Sequence, residues 1–202
     1  FAIYCVVFFA VAFGKEVLAQ VTWVTVSLPV LLIIVLLVKA VSLLGANDGI
    51  EFYIGKFDAV ELLNGELWAA ACGQILFSLA PGTGTALTLT SFAKKNTDVY
   101  KTALIVAMSN SGFSLFAGFA MFSVLGNLAH NLNVTVATVA FRSGMGLAFV
   151  SIAEGMTHFG AASNVMSVLF FSMLLLLGFD STFAMVETGI AICTDILTKT
   201  GL

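Results

Sequence analysis

Between residues 20 and 44 the chain is almost continuously apolar, and that is the length a bilayer demands of a helix. About twenty apolar residues suffice to cross the hydrocarbon layer. The pattern recurs. Apolar runs occupy 1–13, 20–44, 67–93, 101–131 and 162–197, the first of them partial, with more polar stretches at 45–66 and 132–160. In lipid every backbone N–H and C=O must find a partner within the protein, so such runs are expected to be helices. The chain is therefore expected to be an all-α integral membrane protein. Composition agrees: 60% of residues are hydrophobic and 9% charged, with a mean hydropathy of +1.08. A soluble domain carries about 25% charged residues.

Other classes fall away quickly. A net charge of −3, dispersed along the chain, offers no footprint for nucleic acid. Cys5, Cys72 and Cys193 stand far apart in apolar context without a CxxC pair, and read as buried thiols. His130 and His158 lie in or beside polar segments and pair with no Cys or Asp cluster, so no enzyme signature is present. The opening "FAIYCVVFFAVAF" has no initiator Met, charged leader or cleavage site. It reads as the inside of a helix in a longer polytopic protein, interrupted at "GKE".

Lysine placement orients the spans. Lys94, Lys95 and Lys101 follow the third run, whereas the segment before it carries Asp48, Glu51, Asp58, Glu61 and Glu66. By the positive-inside tendency the loop 94–101 is cytoplasmic, and 45–66 and 132–160, around Arg142, are extracellular. Asn133-Val134-Thr135 on that outer side matches a glycosylation sequon, a triplet common by chance. The polar segments are expected to be loops, the first with a short amphipathic piece.

Three places in the apolar runs invite chemistry. The third run contains "FSLAPGTGTA", with Pro81, Gly82 and Gly84 where a helix should be unbroken. Proline costs a helix interior about 3 kcal/mol and each glycine about 1, so roughly 5 kcal/mol of disfavour falls within one turn. The run is expected to break near 79–84, as a packing kink or as a site. Unwinding would free carbonyls for a cation and aim N–H groups at an anion. Gln74 and Ser78 stand one turn apart just before the break.

Asp180 lies mid-span, where a carboxylate costs roughly 2.5–3.5 kcal/mol on insertion scales. Ser181 adjoins it, and Ala184 and Glu187 share its helix face. Either a basic residue on another helix pairs with it or, as this chain favours, oxygen ligands hold a hard cation there. Asn110 and Ser114 stack at i, i+4 on the fourth run. Small polar residues of that kind serve as interhelical glue or as ligands, and spacing leaves both open.

The same residues resemble a known family, the sodium- and chloride-coupled neurotransmitter and amino-acid symporters with the fold of the bacterial leucine transporter. "LLVKAVSLLGANDGIEFY" resembles its fifth helix and outer loop, and "WAAACGQILFSLAPGTG" its sixth helix. "SNSGFSLFAGFAMFSVLGNLAH" resembles the seventh, "SGMGLAFV" the fourth outer loop and "LLLLGFDSTFAMVE" the eighth. The resemblance implies a stretch from the end of helix four through helix eight of a five-plus-five inverted-repeat transporter with a discontinuous helix six. Helices one to three and nine onward would be its partners, together with the bilayer of the plasma membrane.

The resemblance also implies roles. Ser78 and Asn110 match the first sodium site. The carbonyl of Leu177 with Asp180 and Ser181 matches the second. Gln74, Ser78, Asn110 and Ser114 match the chloride site, and Phe77 matches the aromatic lid over the substrate. Ala80, Gly82, Thr83, Ser181 and Met185 match positions lining the substrate pocket. The four chloride-site side chains are neutral, so sodium at the first site lacks a compensating charge from these helices. One anion about 5 Å away at an effective ε of ~20 supplies roughly 3 kcal/mol. Chloride dependence is the expectation.

Departures from the family pattern bear on substrate and release. Thr83 stands where an aromatic is common, Asn47 replaces a Trp, and Gly144-Met145-Gly146 replaces Gly-Pro-Gly. Ala19 replaces the glycine of the Gly-x9-Pro motif, though Pro29 is in place. "PGTG" and "DSTFA" resemble amine carriers, but those have a glycine where this chain has Met185. The resemblance implies symport of a small neutral amino acid, coupled to sodium at two sites and to chloride, by alternating access. A monoamine or osmolyte-like amine carrier is the alternative within the family. A non-transporting sensor or an anion-leak channel is the alternative outside transport.

Overall fold

The computed structural model describes residues 4, 8, 15–55, 59–91, 93, 96–140 and 146–200, with the backbone alone described for 15–22 and 200. Asp58, Lys94, Lys95, Arg142, Gly144, Met145, the side chain of Ala19 and all of the first run except Tyr4 and Phe8 lie outside these residues. The described residues are overwhelmingly helical, without strand.

Helix α1 covers Lys15–Val41, so the expected interruption at "GKE" does not include Lys15 and Glu16, both good helix formers. Pro29 sits inside α1, where it supplies no N–H to the preceding turn. A short helix α2 (Ala46–Ile50) runs into one π-helical turn at Glu51–Gly55. Helix α3 (Gly65–Leu79) and the seven-residue α4 (Thr85–Ser91) divide the third run. Next come α5 (Val99–Leu132), the short α6 (Val136–Ala140), a π turn at Leu147–Ser151 leading into α7 (Ile152–Thr157), and α8 (Ser163–Thr200).

Three helical stretches are long and apolar enough to cross a membrane: Trp23–Val41, Val99–Leu132 and Gly160–Lys199. The two halves of the third run are not. At 1.5 Å per residue α3 reaches about 22 Å, short of a hydrocarbon layer roughly 30 Å thick.

The chain divides into two compact units. One comprises Phe1–Val26, Val60–Ser111 and Leu176–Leu202; the other comprises Ser27–Ala59 and Gly112–Leu175. The hydrophobic core belongs to the second. Leu32, Leu36 and Ala40 form an i, i+4 ridge on α1, and Ala120, Val124 and Leu128 form another on α5. Ile152, Met156, Phe170 and Met173 also belong to this core.

The polar segments are more structured than loops. Gly45 takes a left-handed conformation (φ 80°) and turns the chain into α2. Gly49 lies directly on the carbonyl of Phe122, and Gly126 on the carbonyl of Gly45, with no room for a Cβ at either place. This contact lets Asn127 Nδ2 donate to the Leu44 carbonyl at 2.8 Å and brings Tyr53 onto α5. The Tyr53 ring stacks on Phe122 at 4.7 Å and meets Phe119 edge-on at 5.6 Å. Backbone groups that a loop would leave to water are satisfied instead in short helices pressed on α5.

The end of α5 is a Schellman cap. Asn133 is left-handed (φ 53°), its N–H donates to His130 O at 3.3 Å, and the Val134 N–H donates to Ala129 O at 3.0 Å. Asn and Gly are the residues that tolerate this conformation best. Past the cap, a hydrogen bond of 3.1 Å from Ser151 Oγ to the Val139 carbonyl ties α6 to the π turn.

One expectation from composition is corrected here. Cys72 and Cys193 are exposed rather than buried. Both lie on helix faces that no other described element covers.

Candidate functional site

The first unit carries the break. Helix α3 is begun by the Asn64 side chain, which accepts from the Glu66 N–H at 3.0 Å. It is pinned at its start by Trp68 Nε1, which donates to the Leu62 carbonyl at 2.8 Å. It ends at Leu79 because Ala80 turns left-handed (φ 45°, ψ 45°), its N–H still donating to Leu76 O at 3.0 Å. Left-handed backbone costs a non-glycine residue roughly 1–2 kcal/mol, and strain of that kind gathers at functional sites. Pro81 then has no N–H to give the Phe77 carbonyl, which disfavours continuation of α3.

The turn is closed from within. The Ala80 carbonyl accepts both the N–H of Thr83 (3.2 Å) and its hydroxyl (2.9 Å). The same hydroxyl lies 3.1 Å from that of Thr85. Gly84, at φ 82°, redirects the chain into α4. Thr83, which the family resemblance places on the substrate-pocket wall, has its hydroxyl engaged within its own turn.

One turn before the break, Ser78 meets Asn110 of α5. Ser78 Oγ donates to Asn110 Oδ1 at 3.1 Å, and Asn110 Nδ2 lies 2.8 Å from the same hydroxyl oxygen. Gln74 precedes Ser78 by one turn and is exposed, as is Phe77, at 82%. Ser114 follows Asn110 by one helical turn and belongs to the second unit.

Helix α8 contributes the acid. Asp180 is half-buried, and its Oδ1 accepts a hydrogen bond of 3.2 Å from Thr25 Oγ1 of α1. Thr25 is 6% exposed. In the same turn Ser181 Oγ donates to the Leu177 carbonyl at 3.0 Å. Leu177, Asp180 and Ser181 thus present a carbonyl, a carboxylate and a hydroxyl within one helical turn. All are oxygen donors, the set a hard cation takes. The ion pair found among the described residues, Lys101 with Asp98 at 3.4 Å, is exposed and does not involve Asp180. Nor, among these residues, do three of His, Cys, Asp and Glu gather as a transition-metal site.

The remaining candidates are placed more loosely. Gly82 lies in open space, Met185 is 70% exposed on α8, and Glu187 is half-buried on the same helix. Asn133 borders an open cleft of about 450 Å³ in the second unit, which Asp48, His130 and Thr135 also line. Thr25 is the residue that sequence reasoning missed. Its signal was faint: one of several small polar residues in this part of the helix, four residues before a proline.

Comparison with known proteins bears on what this arrangement serves. The sequence profile described as the sodium:neurotransmitter symporter family matches residues 1–201. The sodium-dependent serotonin transporter of Drosophila melanogaster is 39% identical over 196 residues, 96% of this chain and 31% of that protein. The sodium- and chloride-dependent glycine transporter 2 of Xenopus laevis is 38% identical over 200 residues, 98% of this chain and 25% of that protein. The sodium- and chloride-dependent creatine transporter 1 of Oryctolagus cuniculus is 41% identical over 196 residues, 97% and 30%. The chain spans between a quarter and a third of the length of these relatives.

Proposed function

Since this chain belongs to the sodium:neurotransmitter symporter family, we propose that it forms the middle portion of a sodium- and chloride-coupled symporter of a small neutral amino acid. It runs from the end of the fourth family helix through the eighth, with α3 and α4 as the two halves of helix six. The loop 94–101 faces the cytoplasm, and 45–66 and 132–160 face outward. The observation that carries the reading is the carboxylate of Asp180, half-buried within an apolar stretch of 40 residues and flanked by the oxygens of Leu177 and Ser181. An acid at that depth without a basic partner among the described residues calls for a cation.

Two sodium ions are carried, one at Ser78 and Asn110 and one at Leu177, Asp180 and Ser181. Chloride is held by the donors of Gln74, Ser78, Asn110 and Ser114. Phe77 closes over the substrate beside Ala80, Gly82, Thr83, Ser181 and Met185. The names of the relatives support sodium and chloride as the coupled ions. Those names divide among an amine, an amino acid and creatine at similar identity, so the substrate class rests on Met185 filling the pocket wall. Ion and substrate loading favours the closed state only together, which is how the sodium gradient drives uptake.

Radiolabelled uptake by the full-length protein tests this. Uptake of neutral amino acids that requires both sodium and chloride is the expected result. Uptake of a monoamine or creatine-like amine instead would overturn the substrate. Ion-dependent binding without uptake would make the protein a sensor, and a substrate-independent anion current would make it a leak channel.

A further inference from the structure

Thr25 carries the further inference, which rests on the cation reading of Asp180. Its hydroxyl reaches a half-buried carboxylate 155 positions away in sequence, and Thr25 itself is 6% exposed. A helical threonine has two main χ1 rotamers, so its hydroxyl has few directions to take, and here it takes the one that reaches Asp180. We infer that Thr25 is a positioning residue for the second sodium site: it anchors Asp180 Oδ1 and so holds the carboxylate ready before the ion arrives.

The physical reason is preorganisation. A carboxylate with one oxygen tethered turns less freely about its own chain bond, and its second oxygen favours one direction. Without the tether, ion binding must also order the side chain. Ordering one mobile side chain at a binding site weakens affinity by roughly three- to tenfold. Thr25 makes no demand on chloride, whose donors lie on other residues.

The test uses the purified full-length transporter and reads ion binding rather than transport. Sodium is titrated against thermal stability, since a ligand that binds the folded state raises the melting temperature. Chloride is titrated likewise at saturating sodium. Thr25→Val, which keeps the shape and removes the hydroxyl, is expected to raise the sodium midpoint roughly three- to tenfold and to leave the chloride midpoint in place. Thr25→Ser, which restores the hydroxyl, is expected to return the sodium midpoint to within about twofold of the parent. An unmoved sodium midpoint in Thr25→Val, a parallel shift in both ions, or a Ser variant that behaves like Val overturns the inference. If Thr25→Val does not survive purification, Thr25→Ala against Thr25→Ser makes the same comparison. Asp180→Asn separates the two levels. If it retains the parental sodium response, the cation reading itself is lost. If it weakens that response while Thr25→Val changes nothing, the role of Thr25 alone is lost.

Discussion

Ser78 and Asn110 hold each other by two contacts to one hydroxyl: the Ser78 O–H donates to Asn110 Oδ1 at 3.1 Å, and Asn110 Nδ2 approaches the same oxygen at 2.8 Å. The pair joins the last turn of α3, just before the break, to α5. Both residues carry donors and acceptors, so the one junction suits a cation through its oxygens and an anion through its O–H and N–H groups.

Removing that hydroxyl should therefore weaken two ions together. A neutral side-chain hydrogen bond is worth about 1 kcal/mol, a factor of roughly five in affinity. Ser78→Ala is expected to raise the half-saturating concentrations of both sodium and chloride in uptake by about that factor. A change confined to one ion would show that Ser78 does not serve both.

Ser114 tests the charge argument. A carboxylate one turn beyond Asn110 supplies permanently the negative charge that chloride would otherwise bring, worth roughly 3 kcal/mol at ~5 Å and ε ~20. Ser114→Glu is expected to transport without chloride. Uptake that still collapses when gluconate replaces chloride would refute the assignment.

Gly49 has no room for a side chain. A methyl group there would be driven into the Phe122 carbonyl, which the backbone of α5 holds in place. Overpacking of this kind costs typically 1–3 kcal/mol. Gly49→Ala is expected to lower the melting temperature by several degrees and reduce surface expression, measured by cell-surface biotinylation. Parental expression and melting would mean that α2 does not press on α5 as described.

Met185 is the wager on substrate size. It projects from α8 and fills the pocket wall in the proposed reading. Met185→Gly is expected to shift uptake toward bulkier amines, read as the ratio of kcat/KM for a large and a small substrate. An unchanged ratio would remove Met185 from the pocket.

How much of this was legible beforehand varies by residue. The interruption at Ala80–Gly84 could be read directly, because proline and glycine carry their backbone preferences wherever they stand. Asp180 announced itself by its depth in an apolar run. Tyr53 did not: a tyrosine in a polar segment reads as solvent-exposed until Gly49 and Gly126 are seen to bring that segment onto α5. The partner of the Thr83 hydroxyl was equally hidden, because nothing in the sequence shows that its turn folds back on the Ala80 carbonyl.

Local chemistry, then, was decided by the chain alone: which apolar stretches are helical, where one of them must fail, and which ionisable group stands in the middle of such a stretch. These follow from side-chain polarity and from single-residue backbone preferences, and need no neighbour. Partnership was decided by the tertiary structure. That Asp180 meets Thr25, and Ser78 meets Asn110, depends on how each helix is rotated about its axis, and close packing of side chains sets that rotation. An apolar helix exposes the same hydropathy on every side, so its sequence does not say which face turns toward which neighbour.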